Sequence, residues 1–304
     1  MGELLAVASA LCFGTTHFLS GLVSRHRHGV TVAACAQAGG TVVSLVPVLL
    51  TQDANAPPSA LGWGALSGLG TGVGVACLYW SMNQGPMSVV VPVSDVTAVG
   101  LPVLAGIALL GDRPSPPALT GIALGLPALW LVSRGESRGS RESCGPHEPR
   151  GPHEPRESRL GHGQGADRSR SAVVMALVAG VGLAVHFFAL ARIPASAGWW
   201  PVVVSRAVSV AVILALFPAT GASLRLPRRA APAAAVAGAL GTLATILYLL
   251  ATRQELLSVA VVLSALYPAV PVLLALTFLR ERITRPQAVG LLGAGLAIGL
   301  IALN

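Results

Sequence analysis

The sequence predicts an all-α integral membrane protein: ten transmembrane helices arranged as two inverted five-helix repeats. Three observations carry that prediction. The 304 residues are 53% hydrophobic and only 11% charged, with a mean hydropathy of +0.71, which leaves too little polar surface for a soluble globule of this size. Ten apolar stretches follow one another along the chain. A polar interruption at 134–171 then divides them five and five.

The stretches run roughly over 3–23, 30–50, 60–82, 87–110, 116–133, 172–191, 197–219, 230–251, 256–279 and 285–303. Each is long enough to cross a hydrocarbon core of about 30 Å as a helix. Lipid offers backbone groups no partners, so an open chain of this kind must be helical. A β-barrel would show alternating segments of about ten residues, and none is visible. The opening Met-Gly-Glu-Leu-Leu lacks the basic region of a signal peptide, so the first apolar run reads as a retained helix. Cys12, Cys35 and Cys77 fall inside apolar runs and Cys144 in the polar interruption, a pattern of neither disulfide framework nor metal site.

Residues 134–171 are rich in Arg, Glu, Gly, Ser and Pro and read as a disordered polar linker between a first repeat at 1–133 and a second at 172–304. Gly-Pro-His-Glu-Pro-Arg occurs there twice, at 145–150 and 151–156. Slippage in an unconstrained segment explains it better than metal binding by His147, His153 and His162, and no metal or cofactor is assigned. Sliding the chain against itself by 169 residues places His17-Phe18 on His186-Phe187, Tyr79 on Tyr248, Gly72 on Gly241, Pro102 on Pro271, and Asp112-Arg113 on Glu281-Arg282. The second half therefore reads as a duplicate of the first. Five helices per copy is an odd number, so the copies enter the membrane from opposite faces.

All 20 basic residues are arginine, and the net charge is +8. The charge sits mostly in loops, which argues for membrane orientation and against nucleic-acid binding. Arg25, Arg27, the linker arginines, Arg225, Arg228, Arg229, Arg280, Arg282 and Arg285 fall on one side, and Arg113, Arg192 and Arg253 on the other. The first side is then cytoplasmic and both termini are outside, with the plasma membrane as the expected location.

Val-Val-Val-Pro-Val-Ser-Asp-Val-Thr-Ala-Val-Gly-Leu-Pro-Val at 89–103 leads into Leu-Leu-Gly-Asp-Arg at 109–113. The second copy gives Ala-Leu-Tyr-Pro-Ala-Val-Pro-Val at 265–272 and Leu-Arg-Glu-Arg at 279–282. With this doubled pattern the chain resembles EamA-type members of the drug/metabolite transporter superfamily, which have ten helices in two EamA repeats. The resemblance implies a secondary transporter, often an exporter, of small organic molecules such as amino acids, metabolites or toxic compounds. It does not name the solute.

Candidate site residues are those that cost most to bury. Asp95 and Arg206 are charged positions within spans, each costing at least about 2.5–3.5 kcal/mol at a helix centre. They either pair with each other or face a shared cavity, where Arg206 would hold a carboxylate and Asp95 an amine or a proton. His17 and His186 serve either a cavity or an interhelical hydrogen bond. Tyr79, Trp80, Tyr248 and Tyr267 offer rings to an organic solute. Pro92, Pro102, Pro268 and Pro271 are expected to loosen helices four and nine for gating. Gly64, Gly68 and Gly72, with Gly121 and Gly125, form small ridges suited to close helix packing and to a homodimer as well. No phosphate-binding loop or catalytic carboxylate pair is visible. An intramembrane enzyme using His17, Asp95 and His186, or a membrane scaffold, remains the alternative to a proton-coupled or facilitated carrier. The expected partners are the lipid bilayer and a small solute.

Overall fold

The computed structural model describes residues 1–24, 29–51, 56–84, 87–142, 161–216, 218, 231–274, 277 and 285–302. Among them the regular structure is all helical. The first half holds α1 (Gly2–Ser24), α2 (Gly29–Thr51), α3 (Pro58–Gln84), α4 (Met87–Leu109) and α5 (Pro116–Glu142). The second holds α6 (Gly161–Ala191), a 3₁₀ turn at Ala195–Ala197, α7 (Trp200–Leu216), α8 (Ala231–Ala251), α9 (Leu257–Ala265), α10 (Ala269–Leu274) and α11 (Arg285–Ala302).

Five segments are long and apolar enough to cross a membrane: Gly2–Ser20, Thr31–Thr51, Pro58–Leu78, Ser171–Ala191 and Ala231–Ala251. Shorter apolar helices cover Val93–Leu109, Pro116–Leu131, Trp200–Leu216 and Arg285–Ile301. Leu49, Leu50, Leu104 and Leu292 are among many exposed large apolar side chains. Such a surface suits lipid and not water.

Two features differ from the sequence expectation. The ends of the 134–171 linker are helical, because α5 continues to Glu142 and α6 starts at Gly161. Extending a formed helix adds one hydrogen bond per residue fixed, so it runs into polar sequence that would not nucleate alone. The duplicated hexapeptide lies outside the described residues. The ninth span is also divided, with α9 ending at Ala265 and α10 starting at Ala269. Pro268 has no N–H to give the carbonyl of Ser264, and shorter-range bonds replace the helical ones: Ala269 N donates to Leu266 O at 3.1 Å and Val270 N to Tyr267 O at 3.0 Å. By contrast α4 runs without a break past Pro92 and Pro102, and α10 past Pro271. At the 169-residue offset Pro102 and Pro271 correspond, whereas Pro268 falls on Val99, which keeps its N–H. Pro92 falls on Val261 and is unshared too, but it lies near the start of α4, so of the four prolines Pro268 marks the break.

The helices of one half pack chiefly on those of the other. α1 lies on α8 as α6 lies on α3, α2 on α8 as α7 on α3, and α9 on α1 as α4 on α6; α2 meets α7, and α5 meets α11. Each of these pairings has its image when the halves are exchanged, which is the signature of a pseudo-two-fold axis between interleaved repeats. The apolar core at this junction includes Val99 and Val103 of α4, Leu190 of α6, Tyr248 of α8 and Val261 of α9.

Small residues permit the interleaving. A Cβ added to Gly64 or Gly68 would overlap the backbone oxygens of Pro201 and Ser205 on α7, and one on Gly72 would lie 2.6 Å from Val212 Cβ. On α5, a Cβ on Gly121 would lie 2.9 Å from the Ala297 oxygen, while Gly125 is looser, 3.0 Å from Val262 Cγ1. Both ridges are thus occupied within the chain. Gly68→Val is expected to destabilise the protein by about 1–3 kcal/mol, the usual effect of overpacking. Gly62→Ala, with nothing within 4 Å of the new methyl, should hold or raise stability by about 0.5–1 kcal/mol. Thermal unfolding in detergent checks both.

Candidate functional site

Arg206 lies in the middle of α7 and is only 8% exposed. Its Nη1 donates to Gln37 Oε1 of α2 at 2.6 Å, and its Nη2 donates to the Gly241 carbonyl at 2.5 Å and to Thr245 Oγ1, both on α8. All three acceptors are neutral. Gln37 is fixed from its other end, where Nε2 donates to Ser209 Oγ at 3.0 Å, one turn along α7. Gln37 and Arg206 are separated by 169 residues, the offset of the duplication, so they occupy equivalent positions in the two repeats. Equivalent residues touch only where the symmetry axis passes between them. In an inverted repeat that axis lies in the membrane plane, and solute sites of such folds lie near the midplane at the repeat interface.

Asp95 on α4 is 5% exposed. It is not joined to Arg206. Instead its Oδ1 accepts a hydrogen bond from Tyr267 Oη at 3.0 Å, from the turn between α9 and α10. The break that Pro268 imposes therefore presents the residue that holds Asp95. His17 of α1 stacks on the Tyr267 ring with centroids 4.7 Å apart and planes 13° from parallel, and it is exposed despite its position well inside the α1 span. Next to it, Thr16 Oγ1 donates to the Ala237 carbonyl of α8 at 3.2 Å. A Cβ on Gly241, whose carbonyl binds Arg206, would lie 3.6 Å from Thr16 Cγ2. Two adjacent residues of α1 thus touch the Arg206 constellation on one side and the Asp95 constellation on the other.

The two duplicated histidines have different surroundings. His186 is buried, with Ser67 Oγ at 2.8 Å and Thr71 Oγ1 at 2.7 Å from its Nδ1, and Ser67 Oγ lies 2.9 Å from Ser205 Oγ on α7. It pins α6 to α3. For His17 the positions equivalent to Ser67 and Thr71 are Val236 and Leu240, which have no hydroxyl. Phe13 and Phe187 run between the two sites, 6.2 Å apart, with Phe13 also 6.2 Å from Tyr267 and Phe187 5.3 Å from His186. Tyr248 is 0% exposed, and its Oη donates to the Phe187 carbonyl at 3.0 Å. Trp80 is half-buried near the end of α3. The side chain of Tyr79 lies outside the described residues.

Sequence reasoning passed over Gln37, Thr245, Ser67 and Thr71 because they are uncharged. Gln37 carried one usable signal, its place at 169 residues from Arg206.

Interleaved repeats of apolar helices, with polar groups gathered where the repeats meet, have the architecture of a polytopic membrane carrier. The chain belongs to the EamA-like transporter family, whose model matches residues 1–134 and 170–303. It is therefore an integral membrane protein of a transporter family. Among solved structures it is similar to a crystal structure described only as that of a protein, 17% identical, with a TM-score of 0.70 over 99% of this chain and 97% of the other. No curated protein matches.

The different surroundings of the histidines give a direct test. His186→Ala leaves buried hydroxyls on Ser67 and Thr71 without their ring partner and is expected to cost about 1–3 kcal/mol. His17→Ala removes a ring contact at an exposed position and should cost less than about 1 kcal/mol. Thermal unfolding of the two variants side by side reads the difference.

Proposed function

We propose that this protein is a secondary transporter of the cell membrane that moves a small organic metabolite, amino-acid-like or toxic, outward by alternating access. Ten crossings in two inverted repeats rock about the junction of α2 with α7 and α5 with α11. The observation that carries the reading is the bond between Arg206 and Gln37, which sets a buried cation on the axis relating the repeats. That is where a carrier of this architecture binds its solute.

Asp95, separated from Arg206 by one stretch of α1, supplies the opposite charge. A solute bearing both an anionic and a cationic group fits the two better than a multiply charged ion does. The exposed His17, stacked on Tyr267, borders the solute space, and Asp95 with His17 offers groups able to exchange a proton as solute moves. The count of arginines in the loops favours residues 134–171 in the cytoplasm and both ends of the chain outside. Export is a direction often met among proteins the sequence resembles.

Flux of a panel of amino acids, amines and toxic metabolites into sealed proteoliposomes tests this reading. Asp95→Asn and Arg206→Gln should each lower flux at least about tenfold, a loss of about 1.4 kcal/mol in solute recognition, while the protein still inserts. Normal flux in both variants would overturn the assignment of the site.

A further inference from the structure

Gln37 stands where the duplication would place a second arginine, and a carboxylate there would satisfy Arg206 completely. It is neither. We infer that Gln37 is a specificity-determining positioning residue whose neutral amide aims the Arg206 guanidinium while leaving its charge available, so that Arg206, Gln37 and Thr245 form a subsite for a solute carboxylate. The inference rests on the transporter reading above only for the direction in which the solute travels.

The argument is one of donors and charges. A guanidinium carries five N–H donors in a planar fork. Three are used, by Gln37, Gly241 and Thr245, which leaves two. Arg206 is not wholly enclosed, since 8% of its surface stays accessible. Neutral acceptors satisfy hydrogen bonds without cancelling the charge, and a buried charge without a counter-charge is the arrangement that an anionic ligand completes. Nη2 gives both its hydrogens to Gly241 and Thr245, so a carboxylate takes one of the remaining donors, Nε–H or the second Nη1–H, in a charge-assisted bond stronger than a neutral one.

The amide does what a carboxylate could not. Its oxygen accepts from Arg206 and its nitrogen donates to Ser209 Oγ at 3.0 Å, so α7 holds Gln37 by both ends and Gln37 holds the fork in return. Glutamate in its place has the same shape. Its oxygens accept from Arg206 and from the Ser209 hydroxyl, so the fold loses nothing. The guanidinium, however, is then neutralised from within the protein. A purely structural Gln37 would leave ligand binding unchanged by this substitution.

The experiment is a thermal-shift titration of the full chain in detergent. Sodium salts of straight-chain and aromatic monocarboxylic acids are each compared with the matching primary amide, with sodium chloride holding ionic strength constant. In the wild-type protein at least one carboxylate should raise Tm where its amide does not. In Gln37→Glu the apparent Kd for that carboxylate should weaken at least about tenfold, while Tm in chloride alone stays at or above the wild-type value. Arg206→Gln, which deletes the charge, should lose the same binding. The inference is overturned if no carboxylate stabilises the wild type beyond its amide, or if Gln37→Glu binds it within tenfold of wild type. Detergent removes flux from the readout. Carboxylate binding without flux in sealed vesicles would sink the transporter reading and leave this subsite standing, and flux without carboxylate preference would do the reverse.

Discussion

Placing a guanidinium inside an apolar bundle costs several kcal/mol of desolvation, and much of the architecture follows from meeting that cost at Arg206. Its acceptors come from α2 and α8, that is, from both halves of the chain. Neither half offers the full set. The charge is therefore tolerable only when the repeats interleave, and the interleaving in turn needs α7 close against α3, which the glycines at 64, 68 and 72 permit. Electrostatic need and steric allowance thus select the same helix arrangement.

Duplication supplied two copies of each position, and the structure shows what became of several. His186 is tied into a hydroxyl cluster with Ser67, Thr71 and Ser205. For its counterpart His17 the equivalent positions on α8 are apolar, and the exposed ring stacks on Tyr267. Arg206 keeps a charge where Gln37 has an amide. Asp95 corresponds to Ser264, whose hydroxyl reaches the Ala6 carbonyl at 3.3 Å. In each pair one member holds the scaffold, and the other carries charge or accessible polar surface.

Much of this was legible in sequence, and the illegible part has a physical reason. Apolar length announced the membrane and the helices, because lipid imposes a strict rule on backbone groups. The doubled motifs announced the repeat. Asp95 and Arg206 stood out because charge in an apolar run is costly. Their partners did not, since a glutamine, a threonine and a glycine carbonyl are individually cheap to bury. Tyr248 looked like a solute contact because a tyrosine in a span has a polar end; the Phe187 carbonyl takes that end, and only tertiary contact reveals it. The linker's outer turns follow helix propagation from neighbours, a contextual effect that composition does not record.

The prolines show why symmetry in sequence need not give symmetry in mechanism. Pro102 and Pro271 are equivalent, and neither interrupts its helix. Pro268 has no counterpart, since Val99 stands in its place, and there the helix divides. A missing N–H is a property of the covalent chain, so the division belongs to the second half alone. The Asp95–Tyr267 bond consequently joins an unbroken helix to a broken one. The carboxylate sits on a continuous helix and its hydroxyl partner at the turn of a divided one, so the two ends of this bond have different backbone support although they lie in corresponding spans of the two repeats.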